Sequence, residues 1–178
     1  MTLLQSDLLF PATATLSAIA GSVFDVKSRR VPNLITGPSV LLGLSMHLAL
    51  GGWRGLLNSL AAGLICGIVF LVFYLAGGMG AGDVKLILAV GCIAGIAHVP
   101  YILVLTAISG GIMAIALALY RGRLTSTFMN VAALASHHSR SGLQPHPDLN
   151  LSNEQTLRLP YALAIAAGTM LTVYFQVI

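Results

Sequence analysis

Charge is what this chain has least of. Its 178 residues include only nine Lys and Arg and five Asp and Glu, 8% together, against 57% hydrophobic residues. A water-soluble domain carries about 25% charged residues. So few charges cannot cover a water-facing surface, and the solvent of this chain is lipid. Cysteine is also scarce. Cys66 and Cys92 lie in apolar runs and form no Cys-x-x-Cys pair, which excludes a zinc ribbon or a disulfide framework and leaves them as small packing residues. No Lys or Arg precedes the first apolar run, so the basic region of a cleavable signal peptide is missing. The N-terminus therefore reads as the entry to a retained first span. The net charge of +4 does not point to nucleic acid, because in a membrane protein the placement of the basic residues carries the meaning.

What is present is a succession of apolar runs separated by short polar turns. The runs predict spans at about Leu8 to Phe24, Asn33 to Leu50, Leu56 to Ala76, Val84 to Ala97, Tyr101 to Tyr120 and Pro160 to Val177. Each is near the length needed to cross roughly 30 Å of hydrocarbon. The expected fold is all-α, a bundle of about six transmembrane helices in one domain, 1–178. Ser6 or Asp7 is expected to cap the first span and Asn33 the second, behind the break at Pro32. Trp53, in the turn Gly51 to Gly55, fits an interfacial anchor. Gly63 with Gly67, and Gly91 with Gly95, form small-x-x-x-small pairs that permit close helix packing. The one long polar loop, about 121–158, opens with a segment from Thr125 to Ser136 whose apolar residues predict a short interfacial helix.

Basic residues orient the bundle. With the turn after the first span on the cytoplasmic side, Lys27, Arg29, Arg30, Lys85, Arg121, Arg123, Arg140 and Arg158 all fall inside and only Arg54 outside. That asymmetry sets both termini away from the cytoplasm and the polar loop within it.

Two of the rare acids stand where an acid is expensive. A carboxylate at the centre of a membrane helix costs roughly 2.5–3.5 kcal/mol on insertion scales and marks a functional site by default. Asp83 ends the glycine-dense run Gly77-Gly78-Met79-Gly80-Ala81-Gly82, and Asp25 ends the first span. Two crossings separate them, so both come to the cytoplasmic side at similar depth. Two acids in a poorly hydrated site share a proton, and such a pair can activate water while the protonated partner supports the carbonyl oxygen, as in aspartic proteases. Helix dipoles lead one to expect Asp83, at a helix N-terminus, to ionise more readily than Asp25, at a C-terminus. Glycine permits a substrate backbone to approach closely, and irregular backbone at membrane depth implies a wet pocket. The plain alternatives are an N-cap role for Asp83 and neutralisation of Asp25 by Lys27 or Arg29. Lys85 reads as a positive-inside anchor or as a cation steering an acidic group. A small proton-coupled transporter using the same acids as a relay is the rival function. His137, His138 and His146 lack regular ligand spacing, so no metal and no cofactor is expected. His47 and His98 carry little information.

Asp25 followed by the basic turn and Val31-Pro32-Asn33, then Gly80-Ala81-Gly82-Asp83-Val84-Lys85-Leu86, resembles the type IV prepilin peptidases, membrane aspartic proteases with a Gly-x-Gly-Asp motif. Leu159-Pro160-Tyr161-Ala162 and the residues up to Gly168 are similar to the family's final span. The closest likeness is to the short peptidases of tight-adherence (Flp) pilus systems. The resemblance implies an enzyme of the bacterial inner membrane that removes a short basic leader from prepilins or pseudopilins at the cytoplasmic face. It makes the lipid bilayer and the pilus assembly machinery its surroundings. Asp25 and Asp83 take the catalytic roles, and Gly80, Gly82, Lys85, Pro32 and Asn33 are the expected substrate contacts. The paired Cys-x-x-Cys domain of bifunctional members is missing, so methylation of the new N-terminus is not expected. Ala81 and Ala162 stand where related sequences often have glycine.

Overall fold

Gly52 divides the longest helix of the protein into two limbs. The computed structural model describes residues 3–28, 31–122, 124–142, 144 and 160–177. Arg29, Arg30, Arg123 and the loop residues 145–159, including His146 and Arg158, lie outside the described residues. The first helix, α1 (Leu3–Ser28), already contains Ser6 and Asp7, the residues expected to precede it.

Helix α2 (Asn33–Leu75) has 43 residues. Straight, it would extend roughly 65 Å, twice the thickness of a bilayer core. Gly52 interrupts it at φ 59°, ψ −148°, a backbone conformation that a residue with a Cβ rarely adopts. Beyond this bend the chain doubles back, and a Cβ on Gly55 would overlap the His47 carbonyl oxygen. Trp53 and Arg54 lie exposed at the bend. The two limbs correspond to the second and third expected spans.

The limbs flank α3 (Ala81–Ala94), the central helix. Leu86, Ile87, Ala89, Val90 and Ile93 are fully buried there. Glycines set the separation. A Cβ on Gly43 would lie 2.7 Å from the Cys92 carbonyl carbon, one on Gly91 would lie 2.8 Å from the Ala62 carbonyl oxygen, and Gly63 sits against the Cys92 sulfur. Gly67 also faces α3, at Leu88, whereas Gly95 ends the helix and faces the His47 ring.

The far end of α3 is held by side chains from both limbs. Ser59 Oγ donates to the Cys92 carbonyl at 2.6 Å, His47 Nε2 lies 3.0 Å from the Ile93 carbonyl, and the Ile96 N–H donates to Asn58 Oδ1 at 3.0 Å. The His47 ring also stacks on Phe10 of α1 at a centroid distance of 4.2 Å. The last carbonyls of a helix have no partner within it, so these contacts fix the axial position of α3 and with it the position of Asp83 at the other end.

After a short 3-10 turn, α4 (Val99–Tyr120) packs against α6 (Tyr161–Val177), and α6 also packs against α1. Between α4 and α6, α5 (Leu124–Ser141) is longer than the short segment expected, and it exposes Phe128, Met129 and Val131. Three stretches are long and apolar enough to cross a membrane, Leu9–Ser28, Asn33–Leu75 and Ile96–Tyr120, and Tyr161–Phe175 is apolar but shorter. Leu16, Leu41, Ile68, Val104, Ile112 and Phe175 are among the large apolar side chains they expose. That outer surface suits lipid. The protein is an all-α membrane protein built around one buried helix.

Candidate active site

The turn leading into α3 begins with tightly closed backbone. Ala76 N–H donates to the Val72 carbonyl, Gly77 N–H to Tyr74 and Gly78 N–H to Phe73, ending α2. Gly80 then stands in the N-cap position of α3 with extended backbone, and Asp83 follows as its third residue. Asp83 is therefore not the cap itself. Its carboxylate reaches back, Oδ2 accepting the Gly80 N–H at 3.2 Å. A glycine cap has no side chain with which to reciprocate. Among the described residues Asp83 Oδ1 is buried with no hydrogen bond of good geometry, the Ala162 N–H lying near the carboxylate without completing one. A buried polar atom left unpaired costs about 1–3 kcal/mol, so capping alone does not account for this carboxylate.

Asp25 comes from the last turn of α1, three residues before its end, and is half-buried. Both aspartates line one cleft of about 320 Å³, together with Val31, Gly80, Ala81, Gly82 and Lys85. A water molecule takes about 30 Å³ of liquid volume, so the cleft has room for water and for part of a peptide. Among the described residues no cation is paired with either carboxylate.

Asp83 lies ahead of the apolar run of α3, and burial pushes its carboxyl up to about 6, with the Asp25 charge adding to the rise; the Gly80 and Ala162 backbone N–H groups oppose it. The first turns of both α3 and α6 therefore favour the charged form. A helix terminus contributes typically 0.3–1 kcal/mol, whereas full burial moves a carboxyl by up to 3–5 units. Burial wins. Burial thus acts against the helix-dipole expectation for Asp83, which is 8% exposed, while Asp25 is only partly covered.

The expected substrate contacts divide into two groups. Gly80, Gly82 and Lys85 line the cleft, whereas Pro32 and Asn33 are not among its lining residues. The free faces of the glycines point at the protein itself. A Cβ on Gly80 would lie 3.3 Å from Asp83 Oδ2, and one on Gly82 would lie 3.2 Å from the Val31 nitrogen. Asn33 does not cap α2. Pro32 holds that position, its carbonyl accepting the Ile35 N–H at 3.0 Å. The Asn33 side chain is engaged elsewhere, with Oδ1 accepting Lys85 Nζ at 3.0 Å.

Val31 and Tyr161 are the neighbours that sequence reasoning left without a role. Val31 forms a buried wall of the cleft. Tyr161, at the start of α6, is close enough to Asp83 for the two to interact electrostatically. Tyr161 also lines a second, apolar groove of about 590 Å³ that runs past Gly78 and Met79 between α2 and α4. The Pro-Tyr-Ala sequence at 160–162 was the available signal, but nothing in it measures distance to Asp83.

Fold and site together define a helical membrane protein with a two-carboxylate cleft at one end of its bundle. A family model described as the type IV leader peptidase family matches residues 12–115, a stretch containing both aspartates. The chain belongs to that family. It is accordingly a membrane peptidase whose substrates are, in general, prepilins. No match was found among curated proteins or among solved structures.

Proposed function

We propose that the protein is an aspartic endopeptidase in which Asp25 and Asp83 activate one water molecule to remove the leader of a prepilin. The observation that carries this reading is the shared cleft, with two carboxylates, no cation paired with either among the described residues, and room for water. Asp25, the less buried member, takes a proton from the water as its oxygen attacks the scissile carbonyl carbon. Asp83, holding its proton, donates to the carbonyl oxygen. Collapse of the tetrahedral intermediate breaks the C–N bond; the proton on Asp25 passes to the leaving amine and Asp83 regains its own. General acid and base each contribute typically 10²–10⁴-fold.

The basic residues that set the expected topology support a cleft at the cytoplasmic face of the inner membrane, with both termini outside. The substrates are short-leader precursors of the Flp type and related pseudopilins, and methylation of the product lies outside this chain's activity. A proton relay in a transporter needs acids near the bilayer midplane. Here Asp25 is three residues from the end of α1 and Asp83 three residues into α3, so both belong to one end of the bundle. The experiment is co-expression with a candidate Flp-type prepilin. Asp25→Asn and Asp83→Asn are each expected to lower leader removal at least about a hundredfold. Normal processing by either variant would overturn the dyad.

A further inference from the structure

Lys85 is the one described cation lining the aspartate cleft. It lies two residues beyond Asp83, at the start of the second turn of α3, and its side chain is long and exposed. An ammonium brought within about 4–6 Å of a carboxylate lowers that acid's pKa by one to three units. Pairing with either aspartate would strip the dyad of the proton that its chemistry requires. The ammonium instead donates to Asn33 Oδ1 at 3.0 Å.

We infer that Asn33 is a positioning residue that tethers the Lys85 ammonium at the rim of the cleft and keeps it off the two carboxylates. The inference rests on the dyad reading. The tether has a fixed base. Asn33 is the first residue of α2, directly after Pro32, and Val31 packs against Gly82, so the acceptor is anchored to the N-terminal end of the helix that carries Lys85. The choice of side chain follows from charge. A neutral amide oxygen accepts from an ammonium without adding a third acid to the cleft, whereas an apolar residue there would release the lysine.

Among the described residues the titratable and charged groups around Asp83 are few. Asp25 faces it from α1 and Tyr161 from α6, Lys85 shares its helix, and α2 contributes the uncharged Asn33 as the partner of Lys85. Lys27 is exposed in the last turn of α1. Lys85 is therefore the described cation whose release would most change the pair.

The test is the pH profile of leader cleavage by the purified full-length enzyme in detergent micelles with a prepilin substrate. Asn33 is exposed, so its replacement leaves the core packing in place. Asn33→Leu is expected to move the profile of kcat/KM to lower pH by about one unit or more, as a cation paired with the dyad does. Asn33→Gln, which keeps the amide acceptor, is expected to retain the wild-type midpoint. The double variant Asn33→Leu/Lys85→Met is expected to return the midpoint to its original pH whatever its absolute rate. An unmoved midpoint in Asn33→Leu, or a shift that persists in the double variant, overturns the tether. Should Asn33→Leu accumulate poorly, Asn33→Ala removes the same acceptor and is read in the same way. Cleavage that survives both Asp25→Asn and Asp83→Asn would instead sink the dyad, so the two failures are distinguishable.

Discussion

Gly80 and Asp83 close on each other across the first turn of α3: the Gly80 N–H donates to Asp83 Oδ2 at 3.2 Å, and a Cβ on Gly80 would stand 3.3 Å from that same oxygen. The glycine thus serves the carboxylate directly. Its backbone, at φ −84° and ψ 151°, is open to any residue, so the need for glycine here is one of space.

Gly80→Ala therefore tests the cleft without straining the turn. The added methyl has to displace the carboxylate by a few tenths of an ångström. Leader cleavage is expected to fall about tenfold, since small misplacements of catalytic groups carry large rate penalties. Thermal stability in detergent is expected to change by less than about 1 kcal/mol, as for a substitution with no strained φ/ψ. Unchanged kinetics would show that the Asp83 position tolerates movement.

Asp83 also links pH to stability. Its carboxyl is pushed from 3.8 to about 6 in the fold, so the native state binds this proton more tightly than the unfolded chain does. Its contribution is fully present below about pH 4 and is lost as pH rises through about 6. Asn does not titrate. Asp83→Asn is expected to raise the melting temperature at pH 8, by at most about 3 kcal/mol of stability. That gain should fade as pH falls towards 4, where the wild-type side chain is already neutral. A gain independent of pH would remove the titration argument.

Ser59 supports the site from the far end of the helix. Its fully buried hydroxyl donates to the Cys92 carbonyl, and Ser59→Ala leaves that carbonyl without this donor. The expected loss is about 1–3 kcal/mol of stability, measured by thermal or denaturant unfolding in micelles. Ser59→Thr, which keeps a hydroxyl, is expected to recover part of it. No loss in Ser59→Ala would show that α3 is held by packing alone.

The membrane class, the all-α fold and the parity that brings two acids to one end were all legible, because they depend on composition and on the order of apolar runs. Contacts between distant positions were not. Lys85 and Asn33 are 52 residues apart, and the sequence suggested an anchor or acid-steering cation for the first, a cap for the second and substrate contact for both, but not their contact with each other. His47 looked uninformative, yet it sits buried against the Ile93 carbonyl. Nothing local in the chain marks either relationship.

By itself the sequence determined that this protein lives in lipid and that Asp25 and Asp83 are its two costly acids near helix ends. Apolar content and helix length decide those points, and both are written along the chain. Only the tertiary structure decided that the two acids line one cleft, that Asp83 is the more deeply buried of them, and that Lys85 is held on Asn33. Burial and reach are properties of the space between helices, and that space exists only once α1, α2 and α6 have closed around α3.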